Sequence, residues 1–419
     1  MSDQPDLTSW KEIAAYLKVS VRTAQAWEKD RGLPVNRLPG GRGRVMARTQ
    51  DLDKWSRNTP PKEIEATVSE PISTARSSRH LRYGGALAIT FLVVVLATFM
   101  FRPRPHPAQW KVVNDMLIVS DIAGNEVFRK TFPPVVQSHY TNRTAAEATM
   151  AWIGDIDDDH VPETLFLEDK LDKSTILRCY SANGDERWQY TVGRRITMGN
   201  VEFDNVFLTN NFRVTRLRDH LPKVIIIASY HAINEPAQIV LLSTDGEVLR
   251  EYWHAGHIGH SPVKLQVLDL DHDGRSELYL TGISQARNQA TLVVLDPDTM
   301  QGAASEDDPK YRFHNQPAGT ELARLFFPRT ALNLKFLPYN VGQRIHLGND
   351  SLVISVLESF MHAEAPMVLY QLRPDLSLDN VSFSDSFTAL QRRLYEERQI
   401  TSLQTPDDPT MRKISKFQN

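Results

Sequence analysis

Two loops of alternating aspartates hold the residues of this chain best suited to carry chemistry. The loop 269–277 reads DLDHDGRSE, so that a carboxylate recurs at every second position, a glycine follows and a glutamate closes the motif. Alternate carboxylates in a tight loop converge on one centre and form an oxygen cage, which suits a hard cation, most readily Ca²⁺. The sequence therefore predicts a structural calcium site. Its ligands would be Asp269, Asp271, Asp273 and Glu277.

A second loop, 155–163, has the same spacing but departs at one position. It reads DIDDDHVPE, and His160 stands where the other loop has its glycine, so its sharp turn is less well specified. The predicted ligands are Asp155, Asp157, Asp159 and Glu163, which gives one or two structural Ca²⁺ ions in all. A solvated acidic turn without an ion is the alternative for each loop.

A third, degenerate copy lies between these two loops, at residues 215–223. Lys223 takes the place of the closing glutamate and cannot be a ligand, so this copy is expected to have lost the ion. The steps from Glu163 to Lys223 and from Lys223 to Glu277 are 60 and 54 residues, which indicates an internal repeat.

Each loop stands before a strand, and each strand is followed by a strand–turn–strand segment. The strands are expected at 164–167, 224–228 and 278–280, the following hairpins at 176–190, 239–253 and 291–300, and further hairpins at 116–132 and 368–383. Short alternating strands with glycine turns at this period favour an all-β propeller over 108–400, with a polar tail at 401–419. A β-sandwich is the alternative. The single cysteine, Cys179, excludes an internal disulfide framework.

The Asp-rich loops and the strands after them resemble the FG-GAP/VCBS repeats of integrin-type propellers. This resemblance implies a calcium-stabilised β-propeller, in which the ion ties together the loop of one blade. Nearby, the spacing of His254, His257 and His260 could place imidazoles on a transition metal, although a solvated loop fits their glycine-rich surroundings better.

The N-terminal segment has the pattern of a small helical domain. Ser9 to Glu12 fits a capping box, and Ser20 can cap a second helix. A hairpin around Pro39-Gly40-Gly41 and a third helix capped by Thr49 follow. Residues suited to base edges and phosphates lie on the second helix and at the hairpin tip. They are Arg22, Thr23, Gln25, Lys29, Arg42 and Arg44.

Residues 7–55 resemble the winged helix-turn-helix of the MerR and phage-excisionase superfamily. The resemblance implies binding of double-stranded DNA through the second helix and the wing, usually as a homodimer. The 11 Lys and Arg against 7 Asp and Glu in residues 1–58 suit such a partner, whereas the acidic excess of this chain lies in 108–419. A small tryptophan core that docks another protein is the alternative.

An uncharged run of 18 apolar residues, 84–101, separates the two segments. As a helix it would reach roughly 27 Å, close to the hydrocarbon thickness of a bilayer, so it predicts one transmembrane helix in contact with lipid. Residues 59–83 then form a flexible linker. A DNA-binding head requires a cytoplasmic N-terminus, which places the chain in the bacterial inner membrane with 108–419 exported.

These patterns predict a multidomain fold: a small α winged helix-turn-helix, one transmembrane helix and a large all-β propeller-like domain. The expected function is a membrane-anchored one-component transcriptional regulator whose propeller senses or binds an extracytoplasmic ligand or protein. Two alternatives remain open: a membrane-anchored adhesion or scaffold protein, and a propeller enzyme that acts on extracytoplasmic glycans. The sequence contains no phosphate loop, dinucleotide fingerprint or nucleophile elbow, so no catalytic residue is predicted.

Overall fold

The computed structural model describes residues 7–37, 45–58, 106–134, 137–141, 148–169, 173–232, 236–348 and 350–417. Contacts divide the chain into two units, Met1–Thr98 and Phe99–Asn419.

The described part of the first unit contains three helices and one short hairpin. Hydroxyls cap the first two helices as predicted, because Ser9 accepts a hydrogen bond from the amide of Glu12 and Ser20 accepts one from the amide of Thr23. Gly32, in the left-handed conformation, ends the second helix. The elements are α1 (Trp10–Tyr16), α2 (Val21–Arg31), β1 (Asn36–Arg37), β2 (Val45–Met46) and α3 (Thr49–Asn58).

A small apolar core joins these helices. Ile13, Ala24 and Leu52 are fully buried in it, one from each helix. The rings of Trp27 and Trp55 lie 5.6 Å apart at its edge, and the Trp55 indole donates a hydrogen bond to the carbonyl of the last residue of α2. The buried side of α2 is thereby fixed against α1 and α3, and its opposite side stays exposed.

The second unit is built from antiparallel sheets that follow one another along the chain. Neighbouring strands in the sheets are mostly neighbours in sequence, joined by short turns. The first sheet comprises β3 (Gln109–Val113), β4 (Met116–Ser120) and β5 (Glu126–Thr131), and the second comprises β6 (Ala151–Gly154), β7 (Glu163–Glu168), β8 (Ile176–Tyr180) and β9 (Glu186–Thr191). After a separate hairpin of β10 (Ile196–Met198) and β11 (Val201–Phe203), the third sheet comprises β12 (Phe207–Leu208), β13 (Phe212–Arg216), β14 (Lys223–His231), β15 (Ala237–Leu242) and β16 (Val248–His254).

The remaining sheets complete the unit. The fourth comprises β17 (Leu265–Leu268), β18 (Glu277–Ser284), β19 (Gln289–Leu295), β20 (Glu321–Phe326) and, from the C-terminal end, β25 (Ser415–Lys416). The fifth comprises β21 (Val341–Gly348), β22 (Ser351–Leu357), β23 (Met367–Leu372) and β24 (Leu378–Phe383). Short helices α4 (Ser138–Thr141), α5 (Ala331–Phe336) and α6 (Asp385–Glu396) and a 3₁₀ turn (Pro309–Tyr311) lie between strands.

Neighbouring sheets pack face to face, which explains why their middle strands are apolar on both sides. In β14, Ile225 and Ile227 pack with the second sheet, whereas Ile226 packs with the fourth. Successive side chains of a strand point to opposite faces, so each middle strand supplies two interfaces. Each such sheet therefore packs against the sheet before it and the sheet after it, and this packing fixes the loops at the ends of the strands.

The strands predicted after the three loops are confirmed, with β7, β14 and β18 covering them. The hairpin predicted at 291–300 is wrong. After β19 the chain makes a long connection and returns only at β20, and the predicted polar tail contributes β25 to the same sheet. A local turn signal therefore marked the end of a strand and not a hairpin.

The predicted fold class and localisation require correction. Of the described residues, 40% lie in strands and 15% in helices, so the described part of the chain is mostly β-sheet. No helix in the described part of the chain is long and apolar enough to cross a membrane. The longest there, α6, has 12 residues and reaches about 18 Å. Single-pass anchoring in the inner membrane is thus not supported. The run 84–101 and the linker 59–83 lie outside the described residues.

A buried ion pair joins β20 of the fourth sheet to the connection before it, and an aromatic ring of the C-terminal segment packs against the same arginine. The Arg324 guanidinium lies 2.8 Å from the Glu306 carboxylate, and the two side chains are 0% and 1% exposed. The ring of Phe417 packs with its centroid 4.1 Å from the same guanidinium, and its amide donates to the Arg324 carbonyl. With Glu306 removed, the buried guanidinium keeps the longer contact with Glu321, at 3.6 Å, and its charge is only partly compensated.

We therefore expect Glu306→Gln to lower the free energy of unfolding by about 3–5 kcal/mol. Asp307→Asn is the matched control, because the adjacent side chain is 86% exposed and its ion pair contributes at most about 1 kcal/mol. Urea unfolding followed by tryptophan fluorescence measures both. Equal effects of the two variants would contradict a structural role for the buried pair.

Candidate metal centres

The two acidic loops occupy equivalent places in their sheets. The loop 155–163 connects β6 to β7, and the loop 269–277 connects β17 to β18. In each, the residue before the loop pairs with the closing glutamate across the two strands, as Gly154 with Glu163 and Leu268 with Glu277. The strand register thus fixes both ends of each turn.

In the loop 269–277 one carboxylate organises the turn. The Asp269 oxygens accept hydrogen bonds from the amides of Asp273, at 3.0 Å, and Gly274, at 2.9 Å. Gly274 adopts a φ of 84°, the left-handed conformation that glycine enters without steric cost. The remaining aspartates are brought to the same side of the turn.

Three of the four predicted ligands of this loop gather together. Asp269, Asp271 and Asp273 each offer an oxygen within 4.8 Å of the others, so they can hold a metal ion. Glu277 lies outside that group, and the hydroxyl of Tyr279 donates to it at 3.4 Å. Burial, followed by the charges of Asp271 and Asp273, raises the pKa of Glu277 to about 7.

The loop 155–163 makes the same turn without a glycine. The Asp155 carboxylate accepts hydrogen bonds from the amides of Asp158, at 2.6 Å, and His160, at 2.8 Å. His160 has a φ of 66° and so takes the conformation that Gly274 takes in the other loop. The missing glycine raises the cost of the turn but does not change its path.

Here too, three of the four predicted ligands come together. Asp155, Asp157 and Glu163 offer oxygens within 4.8 Å of one another and can hold a metal ion. Asp159 lies outside the group, and its carboxylate accepts a hydrogen bond from the amide of Val161. One oxygen of Asp157 is buried with no hydrogen-bond partner among the described residues, which leaves it available to a cation.

The loops differ most in the cations that the protein itself supplies. Arg187 lies 2.8 Å from Asp157 and 3.0 Å from Glu163, so one guanidinium bridges two of the three clustered acids. Lys223 donates to the carbonyl of Asp155 at 2.7 Å and pairs with Asp158. In the loop 269–277 none of the four acids has an ion pair with a described lysine or arginine.

Sequence reasoning missed both cations. The sequence predicts of Lys223 only that it disables its own loop, whereas in the structure its ammonium group contacts the equivalent loop of the preceding sheet. Arg187 contacts Asp157 from 30 positions away in the chain, on the last strand of the same sheet. The one sequence signal for the contact of Lys223 was the repeat itself, since the equivalent loops of these two neighbouring repeats lie side by side.

The structure describes four of the six residues that were predicted to bind nucleic acid. Arg22, Gln25 and Lys29 are exposed and recur at helical spacing along one side of α2. The hydroxyl of Thr23 lies 2.7 Å from that of Ser20 and belongs to the helix cap. Arg42 and Arg44 lie outside the described residues.

The three histidines of the segment 254–260 do not form a metal group among the described residues. His254 is fully buried, with its Nδ1 atom 3.1 Å from the carbonyl of Gly256. No model of a known protein family matches the chain, and no curated protein has a significantly similar sequence.

The glycine of the second loop gives a test of the turn. We expect Gly274→Ala to lower the free energy of unfolding by about 1–2 kcal/mol, because a β-carbon disfavours the left-handed conformation. That carbon would meet nothing within 4 Å, so crowding makes no contribution. His160→Gly, at the equivalent position, is expected to have the opposite sign. A neutral result for Gly274→Ala in urea unfolding would show that the turn adopts another conformation.

Proposed function

We propose that this chain is a transcriptional regulator whose N-terminal unit binds double-stranded DNA through α2 and whose β-rich unit serves as its sensor or binding domain. The observation that carries the proposal is the exposed row of Arg22, Gln25 and Lys29 on α2, opposite the buried Ala24.

The chemistry of this row suits a nucleic acid. Arginine and glutamine present paired donors and acceptors to base edges in the major groove, and lysine neutralises phosphate. The row begins in the first turn of α2, where unpaired amides favour an anionic partner. The core around Leu52 holds the other side of the helix, so docking requires no rearrangement of α2.

Replacement of one arginine tests whether α2 reads sequence. In the full chain, Arg22→Ala is expected to weaken binding to a preferred duplex by about 1–3 kcal/mol and to relax specificity at one base position. Arg57→Ala is the matched control, since it removes an exposed arginine of α3 with the same change in charge. Binding to duplexes selected from a random library, measured at several salt concentrations, gives the affinity and the base specificity of both variants.

Two results would contradict the proposal. Equal losses of binding free energy for Arg22→Ala and Arg57→Ala would show that binding depends only on the net charge of the domain. Absence of salt-dependent affinity for any duplex would favour a protein-docking role for the N-terminal unit.

We further propose that the ion of the loop 269–277 is Ca²⁺ and that its role is structural. Three carboxylates on one turn supply only part of a coordination shell, and Ca²⁺ accepts such irregular sets of oxygens completed by water. Mg²⁺ requires a nearly ideal octahedron and loses its water reluctantly. None of the four acids of this loop pairs with a described lysine or arginine, which favours this loop over 155–163 as the site of the ion.

Chelation should therefore destabilise the protein. At a free Ca²⁺ concentration 100 times the dissociation constant, the ion contributes about 2.7 kcal/mol, and a chelator should remove this and lower the melting temperature. Asp271→Asn should abolish the response, whereas Asp157→Asn should retain most of it, because Arg187 already pairs with Glu163 in the first loop. A melting temperature indifferent to calcium and chelator would make both loops acidic turns.

A further inference from the structure

A cavity lies beside β16, the strand at one edge of the third sheet. Its volume of about 580 Å³ falls within the range of roughly 300–1,000 Å³ that is typical of small-ligand sites. One wall is the start of β16, and the opposite wall comes from the connection that follows β19. The lining residues are 248–251, 298–302, 316 and 317.

Two hydrogen bonds limit the length of this cavity along β16. The Arg250 guanidinium donates to the carbonyl of Asp298 at 3.0 Å, and the amide of Trp253 donates to the carbonyl of Gly302 at 2.9 Å. Residues 250 and 253 of an extended strand lie about 10 Å apart. The space between the two contacts therefore suits a short ligand and not a long added strand.

The main chain of β16 offers a donor and an acceptor within this span. The amide and the carbonyl of Trp253 both bond away from β15, to Gly302 and Ala304. Residues of an antiparallel strand alternate between bonding the partner strand and pointing away from it, so the amide and carbonyl of Glu251 also point outward. No described group outside the sheet bonds to either of them. Together they match the amide group of a peptide-like ligand.

The charges that line the cavity leave one cation without an acidic partner. The Glu251 carboxylate accepts hydrogen bonds from Arg194 at 2.6 and 3.1 Å, and the Asp298 carboxylate pairs with Arg218. Among the described residues, no carboxylate lies within ion-pair distance of Arg250. Its guanidinium donates to two backbone carbonyls, so three of its five N–H groups remain for another acceptor. A single carboxylate on a ligand would balance this charge.

The other lining groups suit the rest of a small molecule. Within the described part of the chain, the side-chain amide of Gln301 and the Nε2 atom of Gln316 have no hydrogen-bond partner. Val248 and Leu249 are 50% and 42% exposed, so they present aliphatic surface and leave the cavity open to solvent.

We propose that this cavity binds a small N-acylated amino acid. Arg250 would hold the carboxylate of the ligand through charge-assisted hydrogen bonds, and the main chain of Glu251 would bond its amide. An aliphatic side chain of the ligand would pack on Val248 and Leu249. The inference gives a ligand class to the β-rich unit and rests on its proposed role as a sensor or binding domain.

The first test varies the ligand and leaves the protein unchanged. N-acetylleucine, its methyl ester and isocaproate are titrated into the full chain by calorimetry and in thermal unfolding, at matched ionic strength. The ester lacks the charge, and isocaproate lacks the amide. We expect N-acetylleucine to bind and to raise the melting temperature, and the other two to bind at least about tenfold more weakly. No binding of N-acetylleucine, or equal binding of its ester, would overturn the proposal.

The second test varies the protein. Arg250→Gln should weaken the binding of N-acetylleucine at least about tenfold, because it removes charge-assisted hydrogen bonds. Arg344→Gln is the matched control, since Arg344 is an exposed arginine of β21 that does not line the cavity, and it should bind as the wild type does. Equal losses for both variants would contradict a specific role for Arg250.

Duplex binding is measured on the same samples, so that the two proposals are tested separately. A chain that binds DNA but not N-acetylleucine would overturn the ligand site alone. Binding of N-acetylleucine that depends on Arg250 would support the site even where the chain binds no duplex.

Discussion

Repulsion among carboxylates gathered in tight turns is the constraint on which the described β-rich unit depends. Each acidic loop joins the first two strands of its sheet, and each closing glutamate itself pairs with a residue of the strand before the loop. A turn that opened would shift the register of β6–β7 or β17–β18 and would turn the buried side chains of those strands away from the neighbouring sheets. Compensating this charge is therefore a condition for the packing of successive sheets, and not a local detail.

The two loops meet that condition in different ways. In 155–163 the protein supplies cations from outside the loop, Arg187 from its own sheet and Lys223 from the next. The lysine that disables the middle copy of the motif thus stabilises the copy before it, and it ties the second sheet to the third. In 269–277 no described lysine or arginine pairs with the acids, and three of them are placed so that they could hold a metal ion instead. One repeated motif has become an ion-pair network at one site and a candidate metal centre at the other.

Local features of this chain could be predicted from the sequence, and long-range ones could not. The caps at Ser9 and Ser20 and the strands after the loops follow from residue types at short spacing, and the structure has them. No short-range sequence pattern predicts the pairing of Arg187 with Asp157, because the two residues meet only when the strands of one sheet come together. The left-handed turn at His160 also escaped prediction, since the carboxylate of Asp155 fixes it through two amides. The predicted membrane span rested on an uncharged apolar run, 84–101, which lies outside the described residues. No helix among the described residues is long and apolar enough to cross a membrane.

The number of divalent ions bound per chain shows whether a metal compensates the acids of 269–277 while protein cations compensate those of 155–163. Native mass spectrometry after dialysis against calcium counts them without reference to stability. We expect one tightly held ion, because Arg187 and Lys223 already compensate the first loop, whereas the acids of the second loop have no such partner among the described residues. Two ions of equal affinity would show that the protein cations do not take the place of a metal in 155–163. No bound ion would show that the carboxylates of 269–277 are compensated by solvent alone.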